Sequence, residues 1–402
     1  MADNEDFFEE PKSWSHLKHS ILKYYLREYF HKVNRHYRKG AVAADLFAGA
    51  GLFDNGEEGS PLIIARYAHE ANLQNGVTNR VILAEVRPDI YAQLSRNMEQ
   101  YTKSGLVTLF EGEAKDVGCR LLDAIPAGTP LFLFLDPFGN KGLSMELIQQ
   151  ILSRAEKEST EILVNFSEKS LRRRIGVARN VNSQDDRSRA YALDAVELLN
   201  DALGGEWWKE ILQANEMDED QKLDLITSEY ITKFTRAFRF VGIAPVTKGY
   251  PDEEVKYHLI FGSRSWTAFE LMNNSVNRSA AEFLLSVTKA AAIGTLFEEV
   301  GEEYVPPKFR IKPVVLRNEV YGKCISYVQN IAASRSSPEA VTMNRATARR
   351  LVIEKNFAKY SSSDINKAIR HLVKNRDLVT ANEKKAINDK DEFTVVFPPT
   401  KL

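Results

Sequence analysis

The chain has 402 residues, of which 44% are hydrophobic and 27% are charged, with a formal net charge of −1 at pH 7. This length predicts two or three domains, and the composition supplies ordinary hydrophobic cores of a soluble protein. The acidic N-terminus does not resemble a signal peptide, and no apolar run approaches the roughly 18 residues that a membrane span needs.

The two cysteines, Cys119 and Cys324, are far apart in the sequence. This spacing predicts neither a disulfide framework nor a metal site. We therefore expect a cytoplasmic protein without a membrane segment.

The charge is distributed unevenly along the chain. Residues 305–402 contain 19 Lys and Arg against 9 Asp and Glu, a net charge of +10, so the rest of the chain carries −11. A basic terminal region joined to an acidic body predicts contact with a polyanion through the basic part.

An amphipathic helix is predicted over residues 13–37, and a glycine-containing turn follows it. Val42 to Pro61 reads VAADLFAGAGLFDNGEEGSP, with a carboxylate at Asp45 and glycines at Gly49 and Gly51. Apolar residues followed by Gly-x-Gly predict a buried parallel strand that ends in a tight turn, where the backbone can approach a ligand.

The loop after this turn is acidic. No Lys or Arg lies between Val42 and Ile64, so neither a pyrophosphate nor a Walker-type phosphate loop is favoured. A nucleoside ligand with positive charge fits better, and S-adenosylmethionine, with its sulfonium, is such a ligand.

Two further predicted strands end near acidic residues. Residues 80–86 form an apolar strand that includes Glu85, which is placed to accept hydrogen bonds from ribose hydroxyls. Residues 106–111 form the next strand, and Glu113 follows it at the position where a side chain reaches an adenine amino group. A plain surface carboxylate is an equally good interpretation of Glu113.

The most apolar strand is predicted over residues 130–136, and it leads into Asp136-Pro137-Phe138-Gly139. A continuously apolar strand is buried on both faces, so its final carboxylate emerges at the carboxyl edge of the sheet, where doubly wound folds bind ligands. Asp136 and the carbonyl of Pro137 would accept hydrogen bonds, and the Phe138 ring would stack on a flat base. An ordinary turn is the alternative.

The remaining elements of this region complete one fold. A helix over 143–157 and a strand over 161–166 precede a basic run at 169–174, which is either a solvated face or a contact for a phosphate backbone. Residues 176–235 are predicted as helical, and 240–247 and 255–263 as a β-hairpin. Five strands alternating with helices and a closing hairpin predict an α/β fold, a seven-stranded Rossmann-like sheet with an antiparallel last strand. That is the layout of class I methyltransferases.

A second domain follows a boundary marked by Pro306, Pro307 and Pro313. Helices are predicted over 314–334, 342–356 and 362–376, and short strands over 377–380 and 392–397, which together describe a winged helix. Its third helix would bind nucleic acid through four cations, Lys367, Arg370, Lys374 and Arg376. A dimerisation or protein-docking module remains the alternative.

These motifs together resemble the three-Cys-motif partner protein family over about residues 7–275, and the tail is similar to a winged helix appended in some members. The residues that carry the resemblance are Trp14-Ser15 with Lys18, Asp45-Leu46-Phe47-Ala48-Gly49-x-Gly51, Gly59-Ser60-Pro61, Asp136-Pro137-Phe138-Gly139 and Tyr257-His258-Leu259-Ile260-Phe261. The resemblance implies a class I S-adenosylmethionine-dependent methyltransferase fold and genomic association with a radical-type protein bearing three clustered cysteines. In such a fold Asp45, Phe47, Gly49 and Gly51 would bind the cofactor, with Asp45 and the two glycines holding its methionine part.

The Asp-Pro-Phe-Gly motif also resembles the Asp-Pro-Pro-Tyr of enzymes that methylate amines of nucleic acids. It places the aromatic residue one position earlier and ends in glycine, which leaves an adenine or a cytosine target open.

We therefore predict a helical segment at 1–41, a methyltransferase-like domain at 42–275, a connector at 276–312 and a winged helix at 313–402. The predicted function is methylation of an amine of DNA or RNA, presented by residues 313–402. Two alternatives stay open: a binding module that senses a nucleotide and recruits the cysteine-rich partner, and a methyltransferase acting on a protein or small molecule.

Overall fold

The computed structural model describes residues 13–154, 158–247, 255–292, 312–333, 342–380 and 387–395. The chain divides between Met272 and Asn273 into two compact units. Within the described ranges, no helix is both long enough and apolar enough to cross a membrane.

The first unit contains one seven-stranded sheet in the order β3-β2-β1-β4-β5-β7-β6. Its strands are β1 (Val42–Asp45), β2 (Arg80–Glu85), β3 (Val107–Glu111), β4 (Leu131–Leu135), β5 (Thr160–Phe166), β6 (Phe240–Thr247) and β7 (Val255–Ser263). The first five are parallel to one another, and β7 is antiparallel to both β5 and β6. The predicted seven-stranded sheet with an antiparallel last strand is confirmed.

Helices surround this sheet. They are α1 (Ser13–His36), α2 (Ser60–Asn75), α3 (Pro88–Asn97), α4 (Glu99–Lys103), α5 (Ala114–Ala124), α6 (Met145–Leu152), α7 (Glu168–Ala178), α8 (Asp186–Leu203), α9 (Trp208–Gln213) and α10 (Glu219–Thr235). The main core joins the sheet to α5, α6, α7, α8 and α10. Helix α1 packs beside α2.

Strand β4 shows why the sheet is covered on two sides. All five residues of Leu131–Leu135 are buried, and its leucines belong to the core formed with α5 and α6. Phe132, between them, contacts Tyr25 and Tyr29 of α1 at ring-centroid distances of 5.4 and 5.6 Å. Because alternate side chains of a strand point to opposite faces, an unbroken apolar run requires a helix layer on each side.

Several predicted boundaries differ from the observed ones. The helix expected over 88–103 breaks at Met98, whose buried side chain and non-helical backbone separate α3 from α4. The helix expected over 143–157 is the shorter α6. Much of the stretch expected to connect the domains forms a long helix, α11 (Trp266–Ala292).

The second unit contains α12 (Pro313–Ala333), β8 (Thr342–Asn344), α13 (Arg345–Lys355), α14 (Ser362–Lys374), β9 (Leu378–Thr380) and β10 (Glu392–Val395). Its antiparallel sheet has the order β8-β10-β9. The helix predicted over 342–356 begins only at Arg345, since Thr342–Asn344 form β8, and three residues are too few for a periodic signal. Arg349 and Arg345 both bind Asp389 at 2.8 Å, which fixes the turn before β10.

Helix α11 contributes to the second unit as well. The fully buried Asn273 donates to the carbonyl of Tyr360 at 2.9 Å and accepts from the N–H of Ala358 at 2.9 Å. Asn274 accepts from the N–H of Ser362 at 2.8 Å. The second unit therefore includes the end of the predicted methyltransferase-like range, which extended to residue 275.

The carboxyl group of Glu161, on strand β5, is buried on the face of the sheet that α1 covers. Its partner is the hydroxyl of Tyr25, which donates a hydrogen bond to Oε2. Burial raises the pKa of the Glu161 carboxyl to about 8, although the bond from Tyr25 lowers it. The neutral acid is therefore the form that the fold accommodates at pH 7.

We expect Glu161→Gln to be progressively more stable than the wild type as pH rises from about 4.5 to about 8. The pKa of Glu161 is higher in the folded state than in the unfolded state. The wild type therefore has the full stability from this group at pH values below the unfolded pKa, and it loses that stability as pH rises to the folded pKa. The difference should reach a few kcal/mol, since one pKa unit corresponds to about 1.4 kcal/mol. Urea unfolding at a series of pH values measures it.

Glutamine keeps an acceptor for the Tyr25 hydroxyl and has nearly the same shape, so packing should change little. The titration of Asp45 should be the same in both proteins and should cancel in the difference. A difference between the two proteins that stays constant from pH 5 to pH 8 would contradict the assignment of a neutral acid.

Candidate functional site

The carboxyl ends of the parallel strands meet at one edge of the sheet. Asp45 ends β1, Glu85 ends β2, and Asp136 directly follows β4. Asn165 of β5 reaches the same point, because β4 and β5 pair in register up to Leu135 and Val164. Parallel topology alone therefore brings these four polar side chains to the edge where doubly wound folds bind ligands.

The glycine turn after β1 has the backbone that the sequence predicted. Gly49 and Gly51 adopt φ values of 64° and 86°, a region that side chains disfavour. A Cβ on Gly51 would lie 3.4 Å from the side chains of Leu94 and Met98. The turn closes through a hydrogen bond from the N–H of Gly59 to the carbonyl of Gly51 at 2.8 Å.

Asp45 holds this turn from inside. Its side chain is fully buried, accepting from the N–H of Phe47 at 3.0 Å and from the hydroxyl of Ser60 at 2.6 Å. Burial raises its pKa to about 7, against the two hydrogen bonds, which lower it. Asp45 therefore ties the start of the loop to the start of α2, and its effect on a ligand would be transmitted through the loop.

Phe47 is half-buried and lies close to the loop that follows β4. A Cβ on Gly142, whose φ is 76°, would lie 3.2 Å from the Phe47 ring. The two loops therefore pack together at the edge of the sheet.

Glu85 is partly exposed and directed at the glycine turn. One carboxylate oxygen accepts from the N–H of Gly49 at 3.0 Å, and the other from the N–H of Arg87 at 2.9 Å. A carboxylate has about four acceptor positions, so each oxygen can still accept a hydroxyl. Ribose binding stays a prediction that this geometry permits.

Glu113 is exposed and occupies the N-cap of α5 without a side-chain capping bond. Its assignment to the adenine edge stays a prediction.

The acidic loop is partly neutralised by a neighbouring cation, Arg66, and also has a histidine beside it. Arg66 binds both oxygens of Glu58, at 3.0 and 2.9 Å, and His16 lies 3.2 Å from Glu57. The loop charge that favoured a cationic ligand is therefore smaller than the sequence suggested.

Asp136 has two partners that the sequence interpretation did not assign. Lys18 of α1 forms an ion pair with one oxygen, and the amide of Asn165 donates to the other at 2.6 Å. The Lys18 side chain is 9% exposed and that of Asp136 16%. Lys18 is buried in α1, as are Leu17 and Ile21.

Asp45, Asp136 and Lys18 are electrostatically coupled. The charge of Asp136 contributes to the raised pKa of Asp45, while that of Lys18 opposes it. The buried Tyr257 of β7 lies close enough that Asp136 adds to the effect of burial in raising its pKa. Lys18, Asn165 and Tyr257 therefore join the candidate site. The one sequence signal for Asn165 was its position as a polar residue near the end of an apolar strand.

The Phe138 ring is directed outward by a constrained turn. It is 56% exposed, and the next two residues, Gly139 and Asn140, have φ values of 62° and 66°. The Asn140 side chain donates to the carbonyl of Ser167 at 2.9 Å and accepts from its N–H at 2.7 Å. A left-handed asparagine is a strained conformation that survives because its surroundings fix it.

In the second unit, α14 presents a basic stripe. Lys367, Arg370 and Lys374 are exposed on α14, opposite the buried Ile365 and Ile369. The predicted helix included Arg376, which is wrong: α14 ends at Lys374, and Arg376 lies in the following turn with φ of 64°.

No set of three or more His, Cys, Asp or Glu side chains in the described parts of the chain could hold a metal ion.

Comparison with solved structures finds distant likenesses over part of the chain. A methyltransferase from Geobacter sulfurreducens is 12% identical, with a TM-score of 0.26, over 59% of this chain and 77% of that one. A spermidine synthase from Thermotoga maritima is 10% identical, with a TM-score of 0.31, over 65% and 64%. An Escherichia coli protein described as a methyltransferase, yhhF, is 20% identical, with a TM-score of 0.23, over 35% and 67%.

No family model and no curated protein matches the sequence. The function proposed below therefore rests on the geometry of the site.

We expect Lys18 and Asp136 to be strongly coupled energetically. Removing one partner, in Lys18→Met or Asp136→Asn, should destabilise the fold by about 2 kcal/mol or more, because a largely buried charge loses its counter-charge. The double variant should recover part of that loss, giving a coupling energy of about 1–3 kcal/mol. Urea unfolding of all four proteins measures the cycle.

The exposed pair Arg87–Asp89 is the matched control, and its cycle should show little coupling. Purely additive effects at Lys18 and Asp136 would show that the ion pair does not contribute to the stability of this edge.

Proposed function

We propose that this protein is an S-adenosylmethionine-dependent methyltransferase that acts on an amine of a nucleic acid. The observation that supports this best is the meeting of three features at one sheet edge. These are the glycine turn with Glu85, the Asp136 carboxylate, and the exposed ring of Phe138.

The cofactor fits the residues present. The turn at Gly49 and Gly51 exposes backbone where a ligand could approach closely, and Glu85 offers acceptor positions for ribose hydroxyls. Phe47 and Glu113 are the further candidates, and Asp45 would act by holding the turn. When bound, the sulfonium supplies an activated methyl group, so the protein's contribution is chiefly positioning.

Asp136 would orient the amine that receives the methyl group. Lys18 and Asn165 fix the direction of its carboxylate and leave acceptor capacity for an N–H of the substrate. The carbonyl of Pro137 is the second candidate acceptor. Phe138 would stack on the base, an interaction that is tolerant of sequence.

The second unit would present the nucleic acid. Its chain order of helix, strand, two helices and two strands supports a winged helix, with α14 as the third helix. The cations of α14, together with Arg376, would contact phosphates.

One observation favours the binding-module alternative. Both oxygens of Asp136 already accept hydrogen bonds within the protein, which is also what a purely structural carboxylate would show. In that case the chain would bind the nucleotide without transfer and recruit the cysteine-rich partner that the family resemblance implies.

We expect the wild type to bind S-adenosylmethionine and to transfer a labelled methyl group to DNA or RNA. Glu85→Ala should weaken binding about tenfold or more, because ribose hydroxyls lose their acceptor and the turn loses a tie. Asp136→Asn should keep most of the binding and lose transfer. Calorimetry and scintillation counting of mixed DNA, RNA and protein substrates measure the two properties.

Asp89→Ala, which removes an exposed carboxylate near Glu85, is the matched binding control. Where Asp136→Asn fails to fold, the double variant Lys18→Met, Asp136→Asn replaces it. Absence of cofactor binding by the wild type would refute the proposal. Binding without transfer would favour the binding module. Labelling of protein alone would show that the substrate is a protein and not a nucleic acid.

We expect Arg370→Gln with Lys374→Gln to weaken binding of duplex DNA by the full chain. Two lost phosphate contacts should reduce the slope of log affinity against log salt by roughly two. Fluorescence anisotropy between low and moderate salt measures this slope.

The control variant is Arg350→Gln with Lys359→Gln, which removes the same charge from cations that already pair with Glu354 and Glu319. Equal effects of the two variants, or salt-independent binding, would make the second unit a protein-docking module.

A further inference from the structure

The segment between β5 and β6 contains more helices than a single crossover needs. Besides α10, it contains α7, α8 and α9, and α7 packs against α8. Helix α7 begins directly after β5, at the carboxyl edge of the sheet, with Ser167 as its N-cap. The pair of helices is therefore attached to the candidate site.

Helix α7 has three distinct faces. One is apolar and buried, through Leu171 and Ile175. A second carries Arg172, which pairs with Asp220 of α10 at 2.6 Å; just beyond the helix, Arg179 pairs with Glu219. These arginines are accounted for by the fold.

The third face, here named the α7 stripe, consists of Lys169, Arg173 and Val177. Spaced four residues apart, they are all exposed, with Val177 at 37%. Neither Lys169 nor Arg173 has a carboxylate partner among the described residues. Their positions differ by about 6 Å along the helix axis. The stripe therefore offers two unneutralised cations in a row.

The α7 stripe starts beside Phe138. Ser170 of α7 donates to the carbonyl of Gly139 at 2.8 Å, and Asn140 is bonded to Ser167 in both directions. An exposed aromatic ring and a row of cations are thus held on one rigid support.

Helix α8 also carries an exposed aromatic ring next to a cation. Arg187 lies over the ring of Tyr191 at 5.7 Å, and Tyr191 is 55% exposed. Arg187 likewise has no carboxylate partner in the described part of the chain. Aromatic rings interleaved with cations are the general means of binding single-stranded nucleic acid, since bases stack while phosphates meet positive charge.

We propose that the α7 stripe and Phe138 bind the single-stranded segment that carries the target base, with phosphates on Lys169 and Arg173 and a base on Phe138. This deepens the proposed function by specifying its substrate. The Asp136 side chain is only 16% exposed. A base inside an intact duplex cannot reach such a carboxylate, so the target must be unpaired or flipped out. The stripe would stabilise that unpaired strand.

The test uses the full chain in the Arg370→Gln, Lys374→Gln background, so that α14 contributes little. A fluorescein-labelled 12-nucleotide single strand of mixed sequence, as DNA and as RNA, is titrated by anisotropy at several salt concentrations. Lys169→Gln with Arg173→Gln should reduce the salt slope by roughly 1.4, the value for two phosphate contacts with a single strand. Phe138→Ala should lower the affinity about fivefold or more.

The matched control is Arg172→Gln with Arg179→Gln, an equal loss of charge at the same end of the unit. It should leave the salt slope of the Arg370→Gln, Lys374→Gln background unchanged, because those arginines are already paired with carboxylates. Equal effects of the two double variants would show that binding depends only on the net charge of the protein. If the stripe variant binds the strand as well as the background does, the stripe is a solvated surface without a role in binding. Equal binding of the single strand and its duplex would also overturn the proposal.

No cofactor is present in this titration. Failure of S-adenosylmethionine binding would therefore refute the methyltransferase function without affecting the result for the stripe. Failure of the stripe to bind the single strand would likewise leave the methyltransferase function untouched. Because Lys169, Arg173 and Phe138 are exposed, unchanged melting temperatures should accompany these substitutions.

Discussion

The ion pair between Lys18 and Asp136 is the interaction on which the candidate site depends. It joins the first helix to the end of the most buried strand, in a setting where both side chains are mostly removed from water. Such a pair gains little net free energy, because desolvation offsets the attraction, but the loss of either partner leaves a charge uncompensated. The position of α1 over the sheet edge is therefore fixed by charge as well as by packing.

The other carboxylates at this edge also act as structural ties. Asp45 bonds to Phe47 and Ser60, and Glu85 bonds to the N–H groups of Gly49 and Arg87. The same groups that could meet a ligand thus define the shape of the loops around it. A ligand that engages Glu85 would be sensed directly by the glycine turn, since one carboxylate serves both.

Local patterns were enough to predict the seven strands of the first unit and the acids at the ends of three of them. An apolar run such as Leu131–Leu135 indicates a buried strand wherever it occurs, and parallel topology then places Asp45, Glu85 and Asp136 together. What the sequence did not reveal depends on distant packing. Lys18 is buried where it pairs with Asp136, and Met98, at the break between α3 and α4, has its side chain beside Gly51.

Two basic surfaces occur in the described part of the chain, and their chemical settings differ. The cations of α14 stand on a helix whose sequence contains no Phe, Tyr or Trp. Those of α7 lie beside Phe138, on a helix packed against the one that carries Tyr191. Cations alone give affinity that depends on salt and ignores base identity, whereas an exposed ring can hold one unpaired base in place. In the proposed enzyme, α14 would therefore supply affinity for the polymer, and the stripe with Phe138 would hold one unpaired nucleotide near Asp136, whatever its base.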